Sequence, residues 1–347
     1  MIEKSTTLKD IARIAGVSTA AVSMALNNRP GVGPAKRHEI IDIAQKNGYR
    51  PNMAAKALVS KHSYALGLVI NNISDPFFTE LAAGVEKTAR SLGYHIILCS
   101  IDGRADDRKQ YLDLMRSRGV DGLVISTAAV RDPHIGSLIA AGVPFVCINR
   151  VPLEAGISEK IDTVTLDNHA AGYQGIAHLW RLGHDRIAVI SGDLNASNAL
   201  ATLDGSKKAM ADYGIAATPP LLKNGRYSRR IAQQKANQLM RLKRPPSAIF
   251  AHDDNMALGV REALLGLNLR IPEDVALMGM DDIQMGALTG VELTTVSPKK
   301  SEMGAMGVRI LVNRIEAGTP RMVERVVLNA DLIVRKTCGY ANGGYKR

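Results

Sequence analysis

The sequence predicts two architectures in one chain: an N-terminal all-α helix-turn-helix module, then an α/β core of two doubly wound parallel-sheet subdomains. Three observations carry this. Residues 7–34, TLKDIARIAGVSTAAVSMALNNRPGVGP, hold two short helices around a Gly-Val turn, with a third helix following. From Tyr64 onward, short runs rich in Ile, Val and Leu alternate with amphipathic helical stretches, and the alternation runs twice. Charge is also divided. Of the formal net +11 over 347 residues, residues 1–62 hold ten Lys/Arg against four Asp/Glu, hence +6, leaving +5 for the other 285. A chain this long exceeds one ordinary domain.

Thr7 is placed to N-cap a helix whose third position is Asp10, with Leu8, Ile11, Ala12 and Ala15 as its apolar face. Gly16-Val17 makes the turn. Ser18 caps a second helix with Val22, Ala25 and Leu26 inward, and Thr19, Ala20, Ser23 and Met24 largely outward. Such a pair puts its second helix into the DNA major groove, and a basic module suits phosphate. A generic helical hairpin is the bland alternative. A third helix spans about Pro34–Asn47, with Pro34 in its first turn, Ile40, Ile41 and Ala44 inward, and Gly48 as its stop. In YRPNMAAKALVSKHS, Pro51 breaks the chain, Asn52 caps, and Met53–Val59 makes about two helical turns. A helix below ~12 residues is marginal in water, so this one is expected to order only when held, as a hinge.

In the core, the expected strands are Ala65–Ile70, His95–Ser100, Gly122–Ser126, Phe145–Asn149, Arg186–Ser191, Ala248–Ala251 and Val275–Met280. The expected helices are Phe78–Leu92, Arg108–Arg118, Ala170–Leu182, Lys207–Tyr213, Ile231–Leu242 and Asn255–Leu265. One set ends near Asn149, and a second begins near Val164 after VPLEAGISEKID. Two such subdomains place a ligand crevice at the carboxyl ends of their strands. A last helix, Glu302–Glu316, and strand-like Met322–Val334 cross back between them. The expected boundaries are 1–50 for the helix-turn-helix, 51–62 for the hinge and 63–338 for the core. Within the core, the N-subdomain covers about 63–165 and 295–322, and the C-subdomain about 166–294 and 323–338. Residues 339–347 read as a disordered tail without leucine heptads.

Composition excludes several classes. Cys99, Cys147 and Cys338 are an odd, widely spaced set, and the first two lie in apolar runs; they read as buried hydrophobes, not disulfides or zinc ligands. MIEKSTTLKD has no apolar core, and no stretch approaches the ~18 apolar residues of a membrane span, so a cytoplasmic protein without a membrane partner is expected. The pairs Asp253-Asp254 and Asp281-Asp282 lack a His or third carboxylate at ligand spacing and read as strand-end acceptors and helix caps. No GxGxxG or GxxxxGK[ST] follows the first strand. No enzyme, metal or cofactor is expected.

Residues 7–337 resemble the lactose-repressor/galactose-repressor (LacI/GalR) family of bacterial transcription regulators. The resemblance rests on DIARIAGVSTAAVSMALNNRPGV, GYRPNMAAKAL, DPFFTELAAGVEKTARSLGY, VDGLVIS, LGHDRIAVISG, HDDNMALGV, VALMGMDD and LTTVSPKKSEMG in that order. It implies a helix-turn-helix, a hinge helix and a periplasmic-binding-protein-like core clasping a small molecule. It also implies a homodimer on a pseudo-palindromic double-stranded DNA operator, and it adds weight against the remote alternative of a transport solute-binding protein, which has no use for residues 1–62.

The resemblance also assigns residues. Thr19, Ala20 and Met24 would reach base edges, and Met24 stands where Arg is frequent, so the reader is apolar and better suited to thymine methyls than to guanine. Ser18, Ser23 and Asn27 would meet phosphate, Thr7 belongs to the same DNA-binding set, and Arg29, Lys36 and Arg37 would add charge. Asn52 and Ala55 would support a hinge whose Leu58 wedges into the minor groove. Phe77, Phe78, Asn149, Arg150, Asn198, Tyr227, Asp253 and Asp281 would hold a sugar or sugar derivative, with carboxylates and amides on its hydroxyls and Tyr227 stacked against it. One departure stands out. Relatives carry Arg and an aromatic in a pattern like ERxxGF, where this chain has Thr202 and Ser206. Arg150 or Arg226 is then left to supply the clamp, or control passes to a regulatory protein partner.

Overall fold

The computed structural model describes residues 6–26, 28–49, 62–101, 105–317 and 322–339. They fall into two compact units, divided along the chain between Ser63 and Tyr64.

The first unit is helical: α1 (Leu8–Ala15), α2 (Thr19–Leu26) and α3 (Pro34–Lys46). Its start signal forms as a capping box. The Asp10 N–H donates to Thr7 Oγ1 at 3.3 Å, and the Thr7 N–H donates to Asp10 Oδ2 at 3.0 Å. Gly16, at φ +64°, takes the left-handed conformation that closes α1. The Ala21 N–H donates to Ser18 Oγ at 3.1 Å, opening α2 as expected. Ile11, Ala12, Ala15, Val22, Ala25, Ile40 and Ala44 form the core; Leu8, Leu26 and Ile41 are only half-buried.

The second unit contains two six-stranded sheets. The first holds β1 (Ala65–Ile70), β2 (His95–Ser100), β3 (Gly122–Ile125), β4 (Phe145–Ile148), β5 (Asp162–Leu166) and β11 (Arg325–Leu328), in the order β11-β5-β4-β3-β1-β2, all parallel. The second holds β6 (Ile187–Ser191), β7 (Leu222–Asn224), β8 (Ala248–Ala251), β9 (Ala276–Met280), β10 (Thr294–Ser297) and β12 (Asp331–Ile333), in the order β12-β10-β9-β8-β6-β7, with only β12 antiparallel. The helices are α4 (Pro76–Ser91), α5 (Ala105–Ser117), α6 (Pro133–Ala140), α7 (Asn168–Arg181), α8 (Ser197–Asp212), α9 (Arg229–Met240), α10 (Asp254–Gly266) and α11 (Lys300–Ala317). Side-chain caps start several of them: Asp75, Asp132, Asp167, Ser228 and Asp253 each accept a first-turn N–H.

The crossings between subdomains differ from expectation. β5, containing Val164, completes the first sheet instead of opening the second set. β10 belongs to the second sheet although residues from 295 were expected in the N-subdomain, and β11 belongs to the first although residues from 323 were expected in the C-subdomain. The chain therefore crosses after Leu166, after Ser297 and after Leu328. Both sheets offer an edge to a four-residue strand, so choosing between them depends on non-local pairing.

Two helices also depart from expectation. The sequence reading has no helix at α6, although Asp132-Pro133 is a cap followed by a first-turn proline. α8 begins ten residues before the expected Lys207, so Asn198 lies in its first turn. No side chain caps α8, and its buried face runs through small residues, Ser197, Ala199, Thr202, Gly205, Ser206 and Ala209, before Met210. That face has a packing reason. A Cβ at Gly205 would lie 1.9 Å from the His169 carbonyl, and one at Gly172 would lie 2.1 Å from the Thr202 carbonyl. α7 and α8 thus touch backbone to backbone, which an apolar-stripe reading does not detect.

Candidate functional site

In the first unit, α2 presents Ser18, Thr19 and Ala20 exposed, with Ser23 and Met24 half-buried. Met24 leans on the turn that follows, where a Cβ at Gly31 would sit 2.8 Å from its Sδ. The same turn is held by Arg37, which donates to the Arg29 carbonyl at 2.6 Å and to Asn28 Oδ1. Arg37 is thus committed within the unit, and Lys36 pairs with Glu39 at 2.8 Å. Thr7 is committed as well, its hydroxyl donating to Asp10 Oδ2 at 2.7 Å. Arg29 is exposed, and its N–H donates to the Met24 carbonyl at 2.9 Å. Asn27, Asn52, Ala55 and Leu58 lie outside the described residues.

In the second unit, all eight expected ligand residues line one cavity of about 190 Å³ at the carboxyl ends of the strands. Chain geometry puts them there. Asp75 caps α4, accepting the Phe77 N–H at 3.0 Å, and Phe77 and Phe78 pack edge to face with centroids 5.1 Å apart. Asn149 leaves β4 with φ +62°, and Asn198 Nδ2 reaches its Oδ1 at 3.4 Å from the opposite subdomain. Asp253 caps α10, accepting the Met256 N–H at 2.7 Å. Asp281 leaves β9 with φ +117°, while Arg226 and Tyr227 sit at φ +53° and +56°. Non-glycine residues in this region cost of order 1–3 kcal/mol each and cluster at ligand clamps. Gly192 is required beside Tyr227, because a Cβ there would lie 2.1 Å from the ring Cζ.

The electrostatics are those of crowded carboxylates. Burial first, then repulsion from Asp75 and Asp254, pushes Asp253 up to about 8. Asp281 rises well above the ordinary carboxylate range for the same reasons, with Lys300 acting against the rise. Burial also raises Asp75, opposed by its Phe77 N–H bond, Arg150 and Lys300. Lys300, 5 % exposed, donates to the Asp281 and Asp282 carbonyls and pairs with Glu80 at 3.0 Å. Arg150 lies over the Tyr227 ring, its Cζ 4.9 Å from the centroid. Burial raises the Tyr227 phenol and holds His252 neutral at about 3. His252 Nε2 meets Ser206 Oγ at 3.0 Å, while its buried Nδ1 has no partner among the described residues.

The second member of each acid pair does structural work. Asp254 accepts from Thr295 Oγ1 at 2.7 Å and from the Ile283 N–H at 3.0 Å; Asp282 pairs with Arg335 at 2.6 Å. Sequence reasoning missed Asn71, Asn72, Asp75, Asn168, His252 and Met280 in the cavity wall. Asp75 had a signal, since Asp before Pro predicts a cap next to a strand end. Thr202, where relatives carry Arg, does line the cavity, and its hydroxyl donates to the Asn198 carbonyl at 2.8 Å.

Comparison with known proteins gives concordant matches. Residues 63–333 match the periplasmic binding proteins and sugar binding domain of the LacI family, and residues 7–52 match the bacterial regulatory proteins of the lacI family. Catabolite control protein A of Priestia megaterium is 31% identical over 316 residues, 90% of this chain and 93% of that protein. The HTH-type transcriptional repressor PurR of Photobacterium profundum is 30% identical over 336 residues, 95% and 98% of the two chains. Among solved structures, a transcriptional regulator CelR–cellobiose complex superposes with a TM-score of 0.74 at 27% identity, covering 96% of this chain and 99% of that one.

Proposed function

Because the chain belongs to the lacI family of DNA-binding transcription regulators, we propose that it is a cytoplasmic, non-enzymatic repressor binding a pseudo-palindromic operator as a homodimer. A sugar or sugar derivative in the crevice controls it. The observation that carries the effector reading is the convergence of Phe77, Phe78, Asn149, Arg150, Asn198, Tyr227, Asp253 and Asp281 on one cavity between the sheets. Hydroxyls match the carboxylates and amides there, and Tyr227 offers an apolar face. The CelR relative is described with cellobiose.

On the DNA side, Thr19, Ala20 and Met24 read base edges, and Ser18, Ser23, Asn27 and Arg29 hold phosphate. Thr7 contributes by fixing α1. Asn52, Ala55 and Leu58 form the hinge that bends the duplex. Exposed apolar side chains support the homodimer: Ile73, Leu92, Ile97 and Leu98 around edge strand β2, and Leu265, Leu267, Met285 and Leu288 in the second subdomain. Apolar residues on an exposed edge strand are a liability unless covered, and a second copy covers them. Control by a protein partner is the rival reading, favoured by Thr202 in place of Arg. The buried Arg150 Nε–H, which has no acceptor among the described residues and belongs to a side chain lining the crevice, weighs toward a small molecule.

Selecting operator DNA from a random pool with the purified protein tests the DNA reading; a two-fold site is expected, and enrichment of no sequence overturns it. Tyr227→Ala and Asp281→Ala test the crevice. Both should bind operator as the parent does without effector and lose the 5–150-fold change with effector that a coupling of ~1–3 kcal/mol gives. A response of parental strength in both variants refutes the effector site.

A further inference from the structure

Arg150, Tyr227 and Asn71 also line a second cavity, of about 330 Å³, whose other walls include Thr127, Asn195 and Arg226. The 190 Å³ chamber alone is smaller than the ~300–1,000 Å³ of ordinary small-molecule pockets, whereas the two chambers together fall within it. Two buried polar groups at this second chamber have no partner among the described residues. Thr127, 2 % exposed, has an unpaired hydroxyl, and the Arg150 Nε–H has no acceptor. Buried donors are nearly always satisfied, so such a pair points to an absent acceptor. The chambers differ in the groups they offer an anion. Asp75, Asp253 and Asp281 line the first, against Arg150. Arg150 and Arg226 line the second, against Asp193 alone, whose Oδ1 already accepts the Asn195 N–H at 3.0 Å.

We infer that the effector is a two-part molecule, a polyol whose hydroxyls face the carboxylates of the first chamber and whose phosphate or carboxylate group occupies the second. There Arg150, Arg226 and the Thr127 hydroxyl donate to it. Charge-assisted bonds to a guanidinium are the strong ones, and a guanidinium fork matches either anion. The first chamber offers an anion only carboxyl groups beside Arg150, whereas the second adds Arg226 and the Thr127 hydroxyl, and this difference fixes the orientation. This inference rests on the crevice being the effector site.

The test is calorimetric titration of the full-length protein with aldohexoses, their uronates, their 6-phosphates and inorganic phosphate. For at least one sugar, the uronate or the phosphate should bind tenfold or more tighter than the parent sugar, with an affinity that falls as salt rises. In Arg226→Gln and Thr127→Val that ratio should collapse toward one. Arg226 is exposed, so its variant does not disturb the fold. Inorganic phosphate alone should compete with the anionic sugars. Neutral sugars binding as tightly as their anionic derivatives, or a ratio unchanged in both variants, would overturn the inference while leaving the crevice as effector site. No heat from any sugar would overturn both.

Discussion

Replacing Asp253 by Asn removes a charge from the crevice and keeps the helix cap, because the amide oxygen accepts the Met256 N–H as the carboxylate does. The expected effect is a pH-dependent gain in stability. In the folded protein Asp253 holds its proton up to about 8, whereas an unfolded Asp releases it near ~4. Between those values the native state binds more protons than the unfolded one, so stability falls as pH rises. The full span of about four pKa units corresponds to roughly 5 kcal/mol, at 1.36 kcal/mol per unit. Asp75, Asp253 and Asp281 titrate as a group, so about 2 kcal/mol is the share that one substitution recovers. For a core of this size that raises Tm by ~4–8 °C. Thermal melts of parent and Asp253→Asn at pH 4, 6 and 8 measure it. The two curves should coincide at pH 4 and separate progressively toward pH 8. A constant gap, or none at pH 8, would refute the account of a crowded, protonated carboxylate.

Three further outcomes are expected. Gly192→Ala drives a methyl into the Tyr227 ring, so effector affinity should fall at least tenfold in calorimetry while operator affinity without effector is retained; unchanged effector binding would mean Tyr227 is not fixed from behind. Met24→Arg should shift the selected operator toward guanine at one position per half-site, and an unchanged selection profile would show that Met24 only packs on the Gly31 turn. Operator affinity should fall with salt at a log–log slope of about −0.9 per phosphate neutralised, near −5 to −9 for ~6–10 contacts in a dimer, read by fluorescence titration; a slope near zero would remove the phosphate contacts.

Signals that act within a few residues were legible in the sequence. The Thr7–Asp10 box, the Ser18 cap, the Gly16 stop and, apart from Ile41, the apolar faces of α1–α3 appear where residue type alone puts them, since each depends on one turn of chain. The strands β1, β2 and β8 match to the residue. β1 and β8 are buried parallel strands, hence apolar runs bounded by turns, and the edge strand β2 carries the apolar run Ile96–Cys99 although Ile97 and Leu98 are exposed. The crevice residues were legible as strand ends and by resemblance, and the fold gathers all eight. What only the tertiary structure decided is non-local. The sheet that β5, β10 and β11 join depends on which edge is free, not on their own residues. α8 has no side-chain cap and, before Met210, buries only small residues, because its partner α7 approaches backbone to backbone. Asp75 and His252 enter the cavity through elements more than a hundred residues apart. The altered proton affinities of Asp253 and Asp281 arise only when burial brings carboxylates together that sequence separation would leave independent in water.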